Sequence, residues 1–140
     1  MKEPLVVLRL RKVGKAVKHR IASRAEELGV TPSQLSVLWR LFEQDGVLTS
    51  SLIESTGLDG GTITGVIDRL ERKKFVRRER GAEDRRVVRV FLTDAGRKLQ
   101  EPLRAIIASL DELAIAGWEA EDVRRFVELL DRLGENLHAE

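Results

Sequence analysis

The stretch that decides the fold is DGGTITGVIDRLERKKFVRRERGAEDRRVVRVFLT, residues 59–93. Asp59 is a typical helix N-cap, and apolar residues follow it at the spacing of one helix face. These apolar residues are Ile63, Val66, Ile67 and Leu70. The second part, from Phe75 to Leu92, alternates like two strands joined by a turn of about four residues, GAED. A capped helix followed directly by a β-hairpin is therefore predicted.

The helix face opposite the apolar stripe is unusual in composition. It carries two glycines and two threonines, and each glycine inside a helix costs about 1 kcal/mol relative to alanine. A low surface with hydroxyl groups and arginines suits close approach to the DNA major groove, where threonine and arginine reach phosphates and base edges. The alternative is a frayed helix start in an ordinary core. The residues of this face and its flanks are Gly61, Thr62, Thr64, Gly65, Asp68, Arg69 and Arg72.

The hairpin is rich in arginine. Residues 69–89 contain ten Lys/Arg and four acids, and such a basic segment indicates either a surface directed at one partner or a solvated face. A ribbon beside a helix-turn-helix is a wing. Arg85 and Arg86 at its tip are predicted to reach a neighbouring minor groove or its phosphates, because guanidinium is flat and always charged. Asp84 either pairs with an arginine and fixes the shape of the tip or is a solvated surface acid.

Helices are predicted before this stretch. The first covers residues 5–28 and ends at Gly29. Thr31 followed by Pro32 is typical of an N-cap and a first helical position, and starts a second helix to about residue 43. A short helix capped by Thr49 then leads to Asp59, which gives the outline of a helix-turn-helix.

Two more helices are predicted after the hairpin. Thr93 caps a long helix to about Ala116, which Pro102 should bend or break. Gly117 separates it from the last helix. The apolar stripes of the first and last helices exceed what a winged core needs, so they either pair with a second copy of the chain or cover the middle of their own chain. The stripe residues assigned to a dimer interface are Leu10, Val13, Val17, Val123, Phe126, Leu130, Leu133 and Leu137.

Composition excludes several classes of protein. The 140 residues contain no cysteine, so disulfides, thiolate nucleophiles and cysteine–zinc sites are ruled out. The sequence has no apolar run near the ~18 residues of a membrane span, and its charged start does not suit a signal peptide, so a cytoplasmic protein is expected. We find no nucleophile–base pair, phosphate loop or metal-ligand cluster, and therefore expect no enzyme activity, cofactor or metal.

These motifs together resemble the MarR family of winged helix-turn-helix transcriptional regulators. The resemblance lies in Asp68-Arg69-Leu70-Glu71, in Arg78 on the first strand, in Asp84-x-Arg86 at the wing tip, and in Leu92-Thr93 with Gly96. It implies a mostly α fold with a small β-hairpin wing, in which a winged helix-turn-helix core is flanked by N- and C-terminal dimerisation helices. Two residues depart from the family pattern: Gly65, where many relatives carry a base-reading arginine, and Lys74, where a glycine commonly ends the recognition helix.

The resemblance also implies a function and its residues. It implies a homodimeric, single-domain protein of residues 1–140 that binds pseudo-palindromic operators in double-stranded DNA and usually represses. Residues 30–93 would bind DNA, and residues 1–29 and 94–140 would form the dimer. The residues expected to contact DNA are Ser50, Gly61, Thr62, Thr64, Gly65, Arg69, Arg72, Arg77, Arg85 and Arg86, with Asp68 and Asp84 orienting the wing.

A small-molecule effector, often an aromatic or phenolic acid, is a further implication of the resemblance. His19, Arg20 and Trp39 are the residues expected to line its pocket, although Trp39 also suits core packing and His19 a surface position. The alternative function for the whole chain is a winged-helix module for protein–protein contact. Salt dependence separates the two, because DNA affinity falls steeply as salt rises.

Overall fold

Helices flank a small sheet. The computed structural model describes residues 5–139. The helices in this part are α1 Val6–Glu26, α2 Pro32–Glu43, α3 Thr49–Thr56, α4 Gly60–Arg72, α5 Asp94–Arg97, α6 Gln100–Ala114 and α7 Ala120–His138. The strands are β1 Val47–Leu48, β2 Val76–Arg80 and β3 Val88–Leu92. The chain divides after Ile107 into two compact units, and the predicted mostly α fold is confirmed.

The core of the first unit forms where α2, α3 and α4 pack against one another. The predicted apolar stripe of α4 is confirmed, since its side chains are no more than 2% exposed. Thr31 caps α2 as predicted: its hydroxyl accepts from the N–H of Gln34, whose side chain accepts from the N–H of Thr31. Within residues 5–139, no helix combines the length and the apolar composition needed to cross a membrane.

The sheet is antiparallel, in the order β1-β3-β2. The predicted hairpin is present, with Val76 opposite Leu92 and Arg78 opposite Val90. Its connection is longer than the predicted four-residue turn and covers residues 81–87. The two-residue strand β1 was not predicted, because a pair of apolar residues carries no period-2 pattern.

Thr49 does not cap α3, contrary to the prediction. Leu48 occupies the N-cap position with extended backbone, and no side chain caps the helix there. The hydroxyl of Thr49 instead donates to the carbonyl oxygen of Val88 at 3.2 Å. Because β1 pairs with β3, the hydroxyl of Thr49 bonds to β3 and does not cap α3 as the local sequence predicts.

The long helix predicted from Thr93 is two helices. Thr93 does cap the first, since its hydroxyl accepts from the N–H of Gly96 at 3.1 Å. Helix α5 ends at Arg97, and a new helix, α6, begins at Gln100 with Pro102 in its first turn. A proline is tolerated there because the first N–H groups of a helix have no partner within it. The break thus comes before Pro102 rather than at it.

The turn that leaves α4 is closely packed. Lys74, where the resemblance described above implies a glycine, has a left-handed backbone with φ of 63°. Its carbonyl oxygen accepts from the hydroxyl of Thr93 at 2.6 Å. A Cβ at Gly96 would lie 2.0 Å from the carbonyl oxygen of Phe75, so a larger residue cannot stand there without moving the turn.

Replacing Lys74 by glycine should stabilise the fold. A non-glycine residue in the left-handed region costs roughly 1–2 kcal/mol, and the added freedom of glycine in the unfolded chain offsets part of that gain. We expect a net gain of about 1 kcal/mol, or roughly 3 °C in Tm, in thermal unfolding. Lys98→Gly is the control, because φ at Lys98 is −64° and glycine there should lower Tm. Equal losses in both variants would contradict the strain argument.

Candidate nucleic-acid interface

The start of α4 is fixed by Asp59. Its carboxylate accepts from both the N–H and the hydroxyl of Thr62, each at 2.8 Å. These hydrogen bonds, the one from the backbone N–H first, hold the pKa of Asp59 below its ordinary value. The hydroxyl of Thr64 likewise donates inside the helix, to the carbonyl oxygen of Gly60 at 2.9 Å. Both threonines can therefore meet an outside group as acceptors, for example of a base amino group.

The outward face of α4 carries short side chains, so its surface lies close to the helix backbone, and it also carries arginines. Gly61, Thr64, Arg69 and Arg72 are exposed, and Gly65 is half-buried among them. A Cβ added at Gly65 would lie 3.8 Å from Nη1 of Arg69, which is an ordinary contact. Packing within the chain therefore does not demand glycine at this position, and the low surface is available to an outside partner.

Arg78 of β2 clamps α4 to the wing. Its guanidinium lies 2.6 Å from the carboxylate of Asp68 and 2.9 Å from that of Glu71, and it also donates to the carbonyl oxygen of Thr64. The backbone N–H of Arg78 donates to Glu71 as well, at 3.2 Å. This set of contacts, hereafter the Arg78 clamp, ties a strand of the wing to the middle of α4.

The two faces of the wing ribbon differ. Arg78 pairs with the buried Val90 on the face towards α4, whereas Arg77 lies opposite Phe91, with its guanidinium 4.6 Å from the centre of that ring. Arg77 also pairs with Glu79 at 2.9 Å. Because neighbouring residues of a strand point to opposite faces, Arg77 lies on the side of the ribbon away from α4. The side chain of Arg77, one of the predicted DNA contacts, is therefore on the opposite face from Arg78.

The wing tip is organised by Asp84. Its carboxylate accepts from the backbone N–H of Arg86 at 3.0 Å and from two guanidinium nitrogens of Arg86 at 3.1 Å each. Asp84 therefore pairs with an arginine, the first of the two alternatives left by the sequence, while the side chain of Arg86 stays 91% exposed. Arg85 is also exposed, and its carbonyl oxygen accepts from Arg80 at 3.1 Å. The guanidinium of Arg86 is thus held in one orientation by Asp84 while it remains exposed to solvent.

The carboxyl group of Asp84 should titrate below its ordinary range. The side-chain hydrogen bonds from Arg86, followed by the backbone N–H of Arg86, lower the pKa of Asp84 in the folded protein. Because the pKa of Asp84 is lower in the folded protein than in the unfolded chain, the pair contributes its full stability above the ordinary pKa. That contribution is lost as the pH falls through the lower pKa of the folded protein. Carboxyl NMR titration should show this low midpoint, and Arg86→Ala should raise it. A midpoint at the ordinary value in the unmodified protein would show that the pair does not form in solution.

A cleft of 870 Å³ separates α3 and α4 from the wing. Its lining includes Ser50, Thr64, Asp68, Arg78 and Arg86. The structure therefore brings together residues of all three elements that the sequence assigns to DNA binding. The sequence interpretation did not assign roles to Arg78 and Glu71, although the alternation of β2 beside the apolar Val76 could have placed Arg78 on the α4 side.

Two of the residues predicted for an effector pocket line different cavities in the described part of the chain. His19 lines a cavity of 550 Å³ beside the end of α1, and Trp39 lines another of 450 Å³. Trp39 also packs edge-on against Phe42 with ring centres 6.2 Å apart, next to the core. Arg20 is exposed on α1. A single effector pocket that contains all three residues stays a prediction.

The helix-turn-helix has a second helix, α4, with short side chains and arginines on its outward face. A wing with arginines at its tip is attached to that helix. These features define a winged-helix DNA-binding protein. Residues 30–88 match the family model described as MarR family. The organic hydroperoxide resistance transcriptional regulator of Bacillus subtilis is 30% identical over 113 residues, which cover 81% of this chain and 76% of that protein. The chain belongs to the MarR family of DNA-binding transcriptional regulators.

Solved structures agree with this assignment. A MarR transcriptional regulator from Methanosarcina mazei Go1 superposes with a TM-score of 0.86 at 27% identity, and the match covers 96% of both chains. BpsR of Bordetella bronchiseptica, whose DNA binding is regulated by 6-hydroxynicotinic acid, matches with a TM-score of 0.79 at 26% identity, over 92% of this chain and 98% of that one. Some curated relatives are longer, and the chain spans 55% and 60% of two of them.

Proposed function

We propose that two copies of this chain bind one pseudo-palindromic operator as a repressor, and that a small aromatic or phenolic acid releases them. The observation that carries the proposal is the outward face of α4 beside the wing tip. Arg69 and Arg72 extend from α4, and Arg86 extends from a wing that the Arg78 clamp holds against the same helix. A recognition helix in the major groove and an arginine in the adjacent minor groove or on its phosphates account for this arrangement.

The terminal helices support the dimer. Among the described residues, α7 has no buried side chain, and the apolar Phe126, Leu130 and Leu137 are 44%, 38% and 67% exposed. Val13 and Val17 of α1 are 60% and 38% exposed. Apolar stripes of this extent are normally covered by a partner. A second copy would cover them and would place two recognition helices one helical turn of DNA apart, about 34 Å.

The effector is proposed for the cavity that contains Trp39. Its lining joins an indole ring and apolar side chains such as Ile21 and Leu35 to the guanidinium group of Arg40, which pairs with the carboxylate of Glu43 in the same lining at 3.3 Å and would have to exchange that partner for the ligand. An aromatic ring and a carboxylate are the chemical groups that such a lining would accept. The regulation of BpsR by 6-hydroxynicotinic acid supports this class of ligand. In a Trp118→Phe variant, Trp39 is the remaining tryptophan, so a bound acid should change the fluorescence of that variant and a non-binding acid should not.

The test of the proposed function is selection of operator DNA from a pool of random duplexes, followed by binding measurements over a range of salt concentrations. A two-fold symmetric sequence should be enriched, and log K for it should fall steeply with log salt. Half-sites should lie about 10 base pairs apart. A protein that binds every duplex equally at physiological salt would not be a sequence-specific repressor, and a protein-contact module would then be the better assignment.

Arg86→Ala should weaken DNA binding in a way that shows what the wing contacts. If Arg86 lies on a phosphate, affinity should fall for every duplex and the salt slope should decrease by about one unit per chain. If it reads a narrow minor groove, the loss should be confined to operators with A·T-rich flanks. Glu83→Ala at the same tip is the control, since it removes an exposed charge of the opposite sign. An Arg86→Ala variant with unchanged affinity and slope would exclude the wing tip from the interface.

A further inference from the structure

The far end of the recognition helix is attached to a distant part of the chain by Lys73. Lys73 is the C-cap residue of α4. Its Nζ donates to the carbonyl oxygen of Gly29, just beyond the end of α1, and to Oε1 of Gln34 in the first turn of α2 at 2.9 Å. One ammonium group thereby connects α4 with the corner between α1 and α2.

The two acceptors of Lys73 lie at the corner between α1 and α2. The carbonyl oxygen of Gly29 belongs to the turn beyond α1, which ends at Glu26, and it accepts from the charged ammonium group of Lys73. Gln34 is 2% exposed and is the buried polar side chain among the described residues. Its Oε1 also accepts from the N–H of Thr31 at 3.2 Å, so Lys73 supplies the second hydrogen bond of a buried oxygen.

The helix that Lys73 holds is weak by itself. Its outward face contains Gly61 and Gly65, and its exit turns through the left-handed Lys74. Asp59 caps its start, and the Arg78 clamp holds it through Asp68 and through Glu71, which lies in the last turn. The contact from Lys73 to the α1–α2 corner adds to the attachments that the clamp makes at Glu71 and that Thr93 makes at the carbonyl oxygen of Lys74, and it joins this end to α1 and α2.

We propose that Lys73 is a positioning residue for DNA reading, which sets the angle of the recognition helix against the α1–α2 corner without contacting DNA. This inference rests on the proposed reading of an operator by α4. Lys73 lies neither on the outward face of α4 nor on the wing. The inference therefore adds a third location to the residues that determine sequence preference. Since a positioning residue acts through geometry, its loss should reduce discrimination between sequences more than attraction to phosphates.

The test compares Lys73→Met with Lys74→Met. Both changes remove one positive charge and keep a flexible apolar stem, but within residues 5–139 only the Lys73 side chain of the two donates hydrogen bonds. Binding is measured against the operator duplex obtained by selection and against a random duplex, at several salt concentrations. Lys73→Met should bind the operator about tenfold more weakly while random-duplex affinity and salt slope stay unchanged, and Lys74→Met should keep the operator affinity.

Two outcomes would overturn the inference, and a third would refute the function on which it rests. Lys73→Met with unchanged operator affinity would show that the contact has no bearing on reading. Equal losses on operator and random duplex, with a salt slope smaller by about one unit, would make Lys73 a phosphate contact instead. Failure of the unmodified protein to distinguish any duplex from random DNA would refute the proposed function itself, which is a separate result.

Hydrogen exchange gives a readout without DNA. The N–H groups of Lys74 and Phe75 bond to the carbonyl oxygens of Glu71 and Leu70 in the last turn of α4. These two amides should exchange faster in Lys73→Met than in Lys74→Met, and Lys73→Arg should restore part of the protection. Equal exchange in all three variants would show that Lys73 does not hold the end of the helix.

Discussion

Leu130→Glu should turn the protein into a monomer that binds its operator about 100-fold more weakly or worse. Leu130 belongs to the exposed apolar stripe of α7, so a charge there should be harmless to a lone chain and costly in a covered interface. Two linked recognition helices gain roughly 10²–10⁴ in affinity over one, and the monomer loses that gain. Analytical ultracentrifugation and operator binding measure the two effects.

Asn136→Glu is the matched control for this change. It adds the same charge to the same helix, at a polar position of α7 about 120° around the helix axis from Leu130. It should stay dimeric and bind as the unmodified protein does. Deletion of residues 123–140 should resemble Leu130→Glu. A truncated chain that still dimerises, or a Leu130→Glu variant with the sedimentation of a dimer, would place the interface elsewhere.

Arg78→Met should lower both the stability and the DNA affinity of the protein. The change removes the Arg78 clamp and leaves Asp68 and Glu71 beside each other without their shared cation. Because the side chain of Arg78 is 21% exposed and the carboxylates are more exposed still, solvent moderates the loss, and we expect about 2 kcal/mol, or roughly 6 °C in Tm. Operator affinity should fall at least tenfold, since the wing then moves relative to α4.

Arg77→Met separates the clamp from the mere loss of an arginine. It removes the same charge from the neighbouring position, on the face of the ribbon away from α4, and should cost under about 1 kcal/mol. Arg78→Lys should recover only part of the stability, because a single ammonium cannot match the two-pronged guanidinium. Equal unfolding free energies for Arg77→Met and Arg78→Met would contradict the role of the clamp.

Local sequence patterns correctly predicted the structural features that depend only on residues close together in the chain. The apolar stripe of α4, the cap of Thr31 on α2 and the hairpin all follow from spacing and side-chain chemistry within a few positions. The same patterns, read with the family resemblance, pointed to the arginines of α4 and the wing. They also left Asp84 with two possible roles, because a two-residue contact at a turn depends on the conformation of the loop.

Features that join distant segments were not predictable in this way. The pairing of Val47 with Val90, the contact of Lys73 with Gly29 and the diversion of Thr49 to Val88 each link residues about 40 positions apart. The separation of His19 from Trp39 has a similar origin, since one lies on α1 and the other on α2, and only packing decides which cavity each one lines. Sequence spacing alone does not encode such distances.

The bare surface of α7 also has a consequence for the lifetime of the protein. If a second copy covers the stripe of Phe126 and Leu130, the stability of this helix rises with the concentration of the chain. A freshly diluted chain would then expose an apolar, unsupported C-terminal helix to proteases, and a paired chain would not. Breakdown would then be fastest when copies are few.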